Sequence, residues 1–212
     1  MTTATMNAAG MYSARTASRI ARVRPQSFQA WIKANLLQPH RCYVGNQIEN
    51  TYTYDDLLLM RLIVKLKEKG ATPKSIRTSL DTIAYMSDGN RNAWKKVHLL
   101  VDDGVVVVIF PDSREWNPID ASRGSQKMAE VFFPELIDEL RNELVPQDRF
   151  KHIEIDPEIL GGAPVIKGTR ISTRAVMSVL ESGGSPREAY PSLSDEQIAE
   201  VEDYEHSFLQ AA

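Results

Sequence analysis

The sequence has little of what marks secreted, metal-binding or membrane proteins. Its single cysteine, Cys42, excludes an internal disulfide and a zinc site built from several cysteines, which is typical of a reducing compartment. The longest apolar stretch, Val105 to Phe110, is far shorter than the roughly 20 residues of a membrane-spanning helix, and residues 1–20 lack the apolar run of a signal peptide. We therefore expect a cytoplasmic protein that has no membrane partner and no metal or other cofactor.

Catalytic motifs are missing as well. The four histidines are scattered along the chain, and no Ser-His-Asp, Cys-His or metal-ligand spacing is present. The glycine-rich stretch before Lys167 lacks the spacing of a phosphate-binding loop. The sequence therefore predicts a protein that is not an enzyme.

Charge is divided unevenly along a chain of ordinary globular composition, with 42% hydrophobic and 25% charged residues. Residues 1–80 hold 12 Lys and Arg against 4 Asp and Glu, a net charge of +8, whereas residues 81–212 hold 13 against 24, a net charge of −11. A strongly basic segment is typical of a surface that binds a polyanion such as DNA. The acidic remainder predicts a second module with a different partner.

Capping and turn residues divide the basic segment into short helices. After a tail at residues 1–11 that we expect to be disordered, Ser13 caps a first helix, and a tight turn leads into a second helix that starts at Pro25. Two short helices joined by a tight turn outline a helix-turn-helix. Residues 40–51 predict a two-stranded wing, and two further helices begin at Thr53 and Pro73.

The segment 12–84 resembles the winged-helix DNA-binding domain of the MerR superfamily. The residues that carry the resemblance are, in chain order, Tyr12, Val23-x-Pro25, Trp31, Leu36-Leu37-x-Pro39-x-Arg41, Tyr54-x-Asp56-Leu57, Leu66-x-x-x-Gly70 and Ile76. In that superfamily the second helix enters the major groove and the wing lies along the backbone. Lysine and arginine neutralise phosphates, and glutamine can pair with adenine. The implied DNA-binding residues are Arg15, Arg24, Gln26, Ser27, Gln29, Lys33, Arg41 and Tyr43.

One position departs from the MerR pattern. Where an Arg-Tyr pair is usual in the second helix, this chain has Gln29-Ala30, which concerns the base contacts and not the fold. Phe28 and Trp31 of the same helix follow helical spacing and are expected in the core. An adaptor that has kept the fold and lost DNA binding stays an alternative.

Residues 85–150 predict a bridge made of a β-hairpin and a helix, which pairs two chains or docks the two ends of one chain. Residues 98–101 and 105–110 flank an Asp-Gly turn, which is a strong hairpin signal. The second of these runs is apolar on both faces, so another element or a second subunit must cover it. A helix is expected from Ser125 to Leu144, with a kink at Pro134.

Residues 151–212 predict a small helical domain with two short strands. A strand at residues 152–155 precedes a glycine-rich turn and a second strand, and Ser172 or Thr173 caps the helix that follows. The last helix runs from Asp195 to Phe208 with Tyr204 facing inward. The whole chain is therefore expected to be mainly α with small β elements, an α+β fold made of a winged helix, a bridge and a small helix-turn-helix-like domain.

The C-terminal segment resembles a small helix-turn-helix-like family found in bacterial antitoxins of the VapB type. Between Pro186 and Tyr190 the chain is a few residues shorter than is usual in that family, which affects the surface of that loop and not the fold. The residues that carry the resemblance are Asp156-Pro157, Gly161-Gly162, Pro164-Val165-Ile166-Lys167-Gly168-Thr169-Arg170, Pro186 and Tyr190-Pro191-x-Leu193.

Together the two resemblances imply an antitoxin of a type II toxin-antitoxin system. Such a protein represses its own operon and neutralises a PIN-domain ribonuclease toxin encoded by a neighbouring gene. An arginine, Arg170 or Arg174, would pair with the toxin's metal-binding carboxylates, and an alternative places the contact on the middle segment or on the last helix. The implied partner-binding residues are Lys167, Arg170, Arg174, Tyr204, Phe208 and Leu209.

Helix-turn-helix proteins usually bind paired half-sites, so we expect a homodimer and a palindromic operator. The alternative to an antitoxin is a free-standing MerR-like transcription regulator whose C-terminal module senses a ligand or forms the dimer. A toxin gene next to the gene of this protein would favour the antitoxin.

Overall fold

Short helices and short antiparallel strands alternate along the chain, which confirms the α+β fold class predicted from the sequence. The structure is a computed structural model that describes residues 11–44, 47–90, 92–110, 129–131 and 133–210. Its helices are α1 (Ala14–Ile20), α2 (Pro25–Lys33), α3 (Tyr54–Glu68), α4 (Pro73–Met86), α5 (Phe133–Leu144), α6 (Thr173–Glu181), α7 (Pro186–Ala189) and α8 (Asp195–Gln210), with a 3₁₀ turn at Ala93–Lys96. Its strands are β1 (Tyr12–Ser13), β2 (His40–Val44), β3 (Gln47–Tyr52), β4 (His98–Asp102), β5 (Val105–Ile109), β6 (Ala129–Val131), β7 (Ile153–Ile155) and β8 (Pro164–Ile166).

The strands form small antiparallel sheets with the orders β1-β3-β2, β5-β4-β6 and β7-β8. The predicted wing is the pair β2-β3, in which Tyr43 lies opposite Ile48. The predicted hairpin is the pair β4-β5, and its turn holds Asp103 and Gly104 at positive φ angles of 44° and 77°. Both hairpins confirm the signals read from the sequence.

Contacts in space divide the chain into two compact units. The first holds the described residues of Met1–Pro25, Pro39–Leu58 and Asp138–Ala212, and the second holds those of Gln26–Gln38 and Leu59–Ile137. Each unit combines stretches that are distant in sequence. The domain boundaries predicted at residues 84 and 150 stay a prediction about the organisation of the chain.

The first unit has a core that is drawn from both ends of the chain. Tyr12 on β1, Tyr54 at the start of α3 and Tyr204 on α8 are all buried, as are Val165 and Val176 of the C-terminal segment. Burying large aromatic side chains makes one of the larger apolar contributions to stability that a residue can make. The N-terminal and C-terminal segments of this unit therefore share one core.

In the second unit a helix covers the apolar strand β5. The Ser79 hydroxyl on α4 donates to the Val106 carbonyl at 3.1 Å, and the Val106 N–H donates to the Ser75 hydroxyl at 2.6 Å. Val106 is buried, whereas its neighbour Val105 is exposed. Helix α4 of the same chain thus covers one face of the apolar strand β5, as the sequence required of another element or a second subunit.

Hydroxyl caps start several helices, as the sequence predicts. Ser13 accepts a hydrogen bond from the Thr16 N–H at 3.2 Å, and Ser172, one of the two predicted caps of α6, accepts from the Ala175 N–H at 3.1 Å. At α3 the cap is reciprocal, because the Asp56 N–H donates to the Thr53 hydroxyl at 3.2 Å and the Asp56 carboxylate accepts from the Thr53 N–H at 2.8 Å. Each such cap contributes about 1 kcal/mol.

The helix predicted from Ser125 to Leu144 is wrong in its first part. Residues 129–131 form β6, which pairs with β4 so that Val131 lies opposite Leu99, and α5 begins only at Phe133. Pro134 lies in the first turn of α5, where its missing N–H costs no helical hydrogen bond, and it starts the helix there instead of kinking it. Residues 125–128 and residues 1–10 of the predicted tail lie outside the described residues.

Among the helices of the described chain, none is long and apolar enough to cross a bilayer.

Candidate nucleic-acid interface and C-terminal surface

Helix α2 has one polar, exposed face. Gln26, Gln29 and Lys33 are exposed and follow the spacing i, i+3, i+7, which places them on one side of the helix. Phe28 and Trp31, on the other side, are only 4% and 7% exposed. The predicted DNA-binding residues of α2 therefore share a face that is open to solvent, with Ser27 half-buried beside it.

The wing presents a second exposed face. Side chains alternate between the faces of a hairpin, so Arg41 and Tyr43 of β2 share one face with their cross-strand partners Asn50 and Ile48. Tyr43 is 79% exposed and Ile48 is 57% exposed. Sequence reasoning missed Ile48, although its position opposite Tyr43 in the predicted hairpin was a signal. An aromatic and an aliphatic side chain beside an arginine can contact both the sugars and the phosphates of a nucleic acid.

The predicted cationic residues keep their charge available. Arg15 on α1, Arg24 in the turn before α2, Lys33 and Arg41 are all exposed, and none of them has an acidic partner within the described part of the chain. Arg22 differs, because its Nη2 atom lies 3.2 Å from the Glu143 carboxylate. Exposed cations without acidic neighbours are those that can replace the counterions of a nucleic-acid backbone.

In the C-terminal segment, Lys167 and Arg170 lie on a well-braced turn. The Thr169 hydroxyl donates to the Ile166 carbonyl at 2.7 Å and accepts from the Ile171 N–H at 3.0 Å. Both cationic side chains are exposed, and neither has an acidic partner among the described residues. This turn therefore offers two positioned positive charges to a partner.

Arg174, the third predicted cation of this segment, is already paired. Its two terminal nitrogens donate to the two carboxylate oxygens of Glu181 at 3.0 and 2.7 Å. A two-pronged pair of this kind satisfies the guanidinium and neutralises its charge. Arg174 would have to leave Glu181 before it could pair with the carboxylates of another protein.

Tyr204 belongs to the core, which confirms that it faces inward. It is 2% exposed, and its ring packs edge-on against Phe150 with 5.1 Å between the ring centres. A groove contact through Tyr204, the alternative for partner binding, is therefore not available at the surface of this structure. The side chains of Phe208 and Leu209, its proposed companions, lie outside the described residues.

A buried polar cluster, which sequence reasoning did not find, joins the two ends of the chain. Tyr12, Tyr54, Tyr204 and Glu205 lie close enough to influence one another's ionisation, and burial raises the pKa of Tyr12 and Tyr204 well above the ordinary value. Burial also raises the pKa of Tyr54 to about 12, although the neighbouring Arg141 guanidinium acts in the opposite direction. These phenols stay neutral, so the cluster is a structural link.

Glu205 is the acid of this cluster. Burial raises the pKa of its carboxyl, and this outweighs the Thr173 hydroxyl, which donates to it at 2.6 Å, and the cation of Arg174. The Thr173 donor partly compensates for the loss of water around the carboxyl.

The second glycine of the Gly161-Gly162 motif touches the N-terminal segment directly. A Cβ atom on Gly162 would lie 2.5 Å from the Cβ of Tyr54, and the φ angle of Gly162 is +80°. Only glycine meets both conditions without displacement. Gly161 also has a positive φ angle, of +63°, but has open space around it.

Two segments of the chain match known protein families. Residues 12–83 match the MerR HTH family regulatory protein, and residues 153–204 match a protein of unknown function named DUF433. A MerR-type helix-turn-helix indicates a DNA-binding regulator, and its range agrees with the resemblance seen in the sequence. Neither match names an antitoxin, a toxin or an oligomeric state.

Among solved structures, the chain is similar to the crystal structure of Rv2018 from Mycobacterium tuberculosis. The two share 14% sequence identity over 90% of this chain and 96% of that chain, with a TM-score of 0.40. A likeness this distant assigns neither a fold nor a function. No curated protein matches the sequence.

Among the described residues, no group of three or more His, Cys, Asp or Glu side chains could hold a metal ion.

Proposed function

We propose that this protein is a DNA-binding transcription regulator that contacts its operator with the polar face of α2 and with the exposed face of the wing. The observation that carries the proposal is the shared face of Gln26, Gln29 and Lys33, which is exposed opposite the buried Phe28 and Trp31 within the MerR match. Glutamines can read adenine edges in the major groove, and the lysine can hold a phosphate.

Binding of the full chain to the DNA upstream of its own gene tests this proposal. Fluorescence anisotropy at several salt concentrations should show specific binding whose log K falls linearly with log salt. We expect Gln29→Ala to reduce the preference for the specific site by about 1–3 kcal/mol, and Lys33→Ala to weaken specific and nonspecific DNA alike. Arg187→Ala, on the C-terminal segment, is the control. Wild-type chain that binds specific and random DNA equally would contradict the proposal.

The proposed regulator acts as a homodimer on a palindromic operator. The support is general, since helix-turn-helix proteins commonly place two recognition helices one helical turn of DNA apart. Sedimentation of the chain with a whole operator and with one half-site gives the test. We expect two chains on the whole operator, and one chain on each whole operator would argue against the dimer.

A finer proposal is that the regulator is also an antitoxin, which holds a PIN-domain ribonuclease encoded by a neighbouring gene. Two features favour it: the resemblance of the C-terminal segment to VapB-type antitoxins, and the exposed Lys167 and Arg170 on a braced turn. Positioned cations suit the acidic, metal-binding centre of such a toxin.

Co-expression with the neighbouring gene tests the antitoxin role. We expect the neighbour to stop growth when expressed alone, and to be harmless and co-purified when expressed with this chain. Lys167→Ala combined with Arg170→Ala should weaken the complex, whereas Arg187→Ala should not. A neighbour that is harmless alone would leave the DNA-binding regulator without a toxin.

A further inference from the structure

A polar cleft lies within the first unit, between the second half of α5, the end of β7 and the turn that follows β8. Its volume is about 340 Å³, in the range of small-molecule sites. Apart from the apolar side chains of Val145 and Ile155, the residues that line it are polar. Five of the polar residues carry charge, namely Asp138, Arg141, Glu154, Asp156 and Lys167. A lining of this composition suits a ligand that is held by charge and by hydrogen bonds.

Backbone groups position two of the three acids. Glu154 on β7 accepts a hydrogen bond from the Gly168 N–H at 2.8 Å, and Asp156, just after β7, accepts one from the Glu158 N–H at 2.9 Å. Each carboxylate thus uses one oxygen, and the other oxygen has no partner in the described part of the chain. Asp138 on α5 has neither a hydrogen bond nor an ion pair there. All three acids therefore keep an acceptor for a ligand.

The two cations of the lining are not paired with an acid either. Arg141 follows Asp138 by three positions on α5, so both lie on one side of the helix. Its guanidinium lies beside the phenol of Tyr54, which is neutral, and its Nε atom is buried without a hydrogen-bond partner among the described residues. Lys167 is exposed and has no acidic partner in the described ranges. A buried donor without an acceptor is rare in folded proteins, and a ligand can supply the acceptor.

Charges of both signs thus surround one cleft without pairing across it. A ligand that carries both a carboxylate and an ammonium group can bridge them, with its carboxylate towards the cations and its ammonium towards the acids. The lining holds three acids and two cations, which leaves one negative charge in excess. A second cationic group on the ligand balances that charge.

We propose that this cleft binds a free amino acid with a cationic side chain, of the class of lysine and arginine. Its α-carboxylate accepts hydrogen bonds from Arg141 and Lys167. Its ammonium group and its side-chain cation donate to the carboxylates of Asp138, Glu154 and Asp156. The site rests neither on DNA binding nor on the proposed toxin, so a chain that binds the amino acid and no DNA would contradict the proposed function and leave the site standing.

Calorimetric titration of the full chain tests the site. The probes are L-lysine and L-arginine, each compared with its carboxamide, and L-norleucine and L-citrulline, which lack the side-chain charge. We expect saturable one-to-one binding of lysine or arginine, with its carboxamide and its uncharged analogue each about tenfold weaker, because each analogue loses charge-assisted hydrogen bonds.

Two results of this titration would overturn the proposal. The first is no saturable binding of either amino acid. The second is a carboxamide that binds as tightly as its amino acid, because the acids of the lining would then attract any cation and the carboxylate would have no site.

Two variants with matched controls locate the binding. Lys167→Gln should weaken the amino acid about five- to tenfold and reduce its advantage over the carboxamide, whereas Arg170→Gln, on the same turn but outside the lining, should stay within about twofold. Asp138→Asn should weaken the amino acid and the carboxamide alike by about tenfold, and Asp148→Asn, outside the lining, should change neither. All four side chains are exposed, so we expect each variant to fold. Wild-type affinity in Lys167→Gln or in Asp138→Asn would overturn the site.

Thermal unfolding gives a second readout of the same site. A ligand that binds only the folded chain raises the unfolding midpoint by mass action. At one saturating concentration of the amino acid, the rise should be smaller in Asp138→Asn than in the wild type and in Asp148→Asn. An equal rise in all three chains would place the binding outside this cleft and overturn the proposal.

Discussion

The two matched segments differ in how their exposed arginines are paired. The first has paired arginines, Arg22 and Arg77, beside several unpaired ones, whereas two of the three arginines of the second, all but Arg170, are paired. In residues 12–83, Arg15, Arg24 and Arg41 are exposed with no acidic partner in the described part of the chain. In residues 153–204, Arg174 lies 2.7 Å from the Glu181 carboxylate and Arg187 lies 3.5 Å from that of Asp195. Exposed ion pairs of this kind add little stability, but they cancel the charge that a polyanion would meet. For the proposed function, the difference teaches that local pairing, and not the net charge alone, determines which arginines are available to DNA.

The largest expected effect on stability comes from a substitution at the contact between the two matched segments. Gly162→Ala would drive a methyl group into Tyr54 and place alanine at a positive φ angle. We expect a loss of about 3 kcal/mol in the free energy of unfolding, from the clash and the backbone strain together, measured by urea denaturation. The matched control is Gly161→Ala, which meets backbone strain alone and should lose about 1 kcal/mol. Equal losses in the two variants would show that the contact with Tyr54 does not carry the joint core.

Removing the arginines sharpens the comparison. Arg24→Ala or Arg41→Ala should weaken DNA binding by about three- to tenfold and reduce the salt slope by about one, as expected for one lost phosphate contact. Arg174→Ala and Arg187→Ala should change the affinity less than about twofold, because their charges are already balanced. Anisotropy titrations with one operator fragment give all four values. If the paired arginines matter as much as the unpaired ones, the comparison fails.

The smallest expected effect concerns Glu205, the acid of the buried polar cluster that links the two matched segments. Folding raises the pKa of Glu205 above its ordinary value of 4.5, so the unfolded chain ionises first as the pH rises. The wild type therefore loses stability between pH 4.5 and the raised pKa of the folded state, and the loss is constant above it. Glu205→Gln keeps the hydrogen bond from Thr173 and avoids this loss.

Thermal unfolding midpoints at pH 4 and pH 7 test this expectation. The gain of Glu205→Gln over the wild type should be larger at pH 7 than at pH 4. Glu202→Gln, on the exposed side of the same helix, should show no such difference. A gain in Glu205→Gln that is equal at both pH values would mean that ionisation of this carboxyl is not linked to folding.

Features set by near neighbours in sequence could be predicted. The caps at Ser13, Thr53 and Ser172 and the turn at Asp103-Gly104 depend on residues a few positions apart, and each is present. Strand β6 could not be predicted in the same way. Its place is set by pairing with β4, about 30 residues earlier in the chain, while its own sequence continues into a helix-forming stretch.

In the candidate surfaces, too, features that depend on local sequence could be predicted, whereas features that depend on tertiary packing could not. Helical spacing and the MerR resemblance were enough to place Gln26, Gln29 and Lys33 on one face, because both depend on local order. The pairing of Arg174 with Glu181 depends on side chains seven positions apart, and the burial of Tyr204 against Phe150 depends on tertiary packing. The contact of Gly162 with Tyr54 and the polar cleft beside Arg141 join separate elements of the chain, which no local pattern contains.

The joint core of the first unit has a consequence for synthesis on the ribosome. Tyr12 and Tyr54 are buried together with Gly162, Tyr204 and Glu205, which are translated much later. At about 5–20 residues per second, the roughly 150 residues between Tyr54 and Tyr204 take about 8–30 s to make. During that interval the nascent chain lacks the C-terminal segment that packs on these rings in the folded protein. A chain that stalls before α8 thus leaves Tyr12 and Tyr54 exposed. Chaperones and proteases would then act on it before it could compete with the full-length protein for operator DNA.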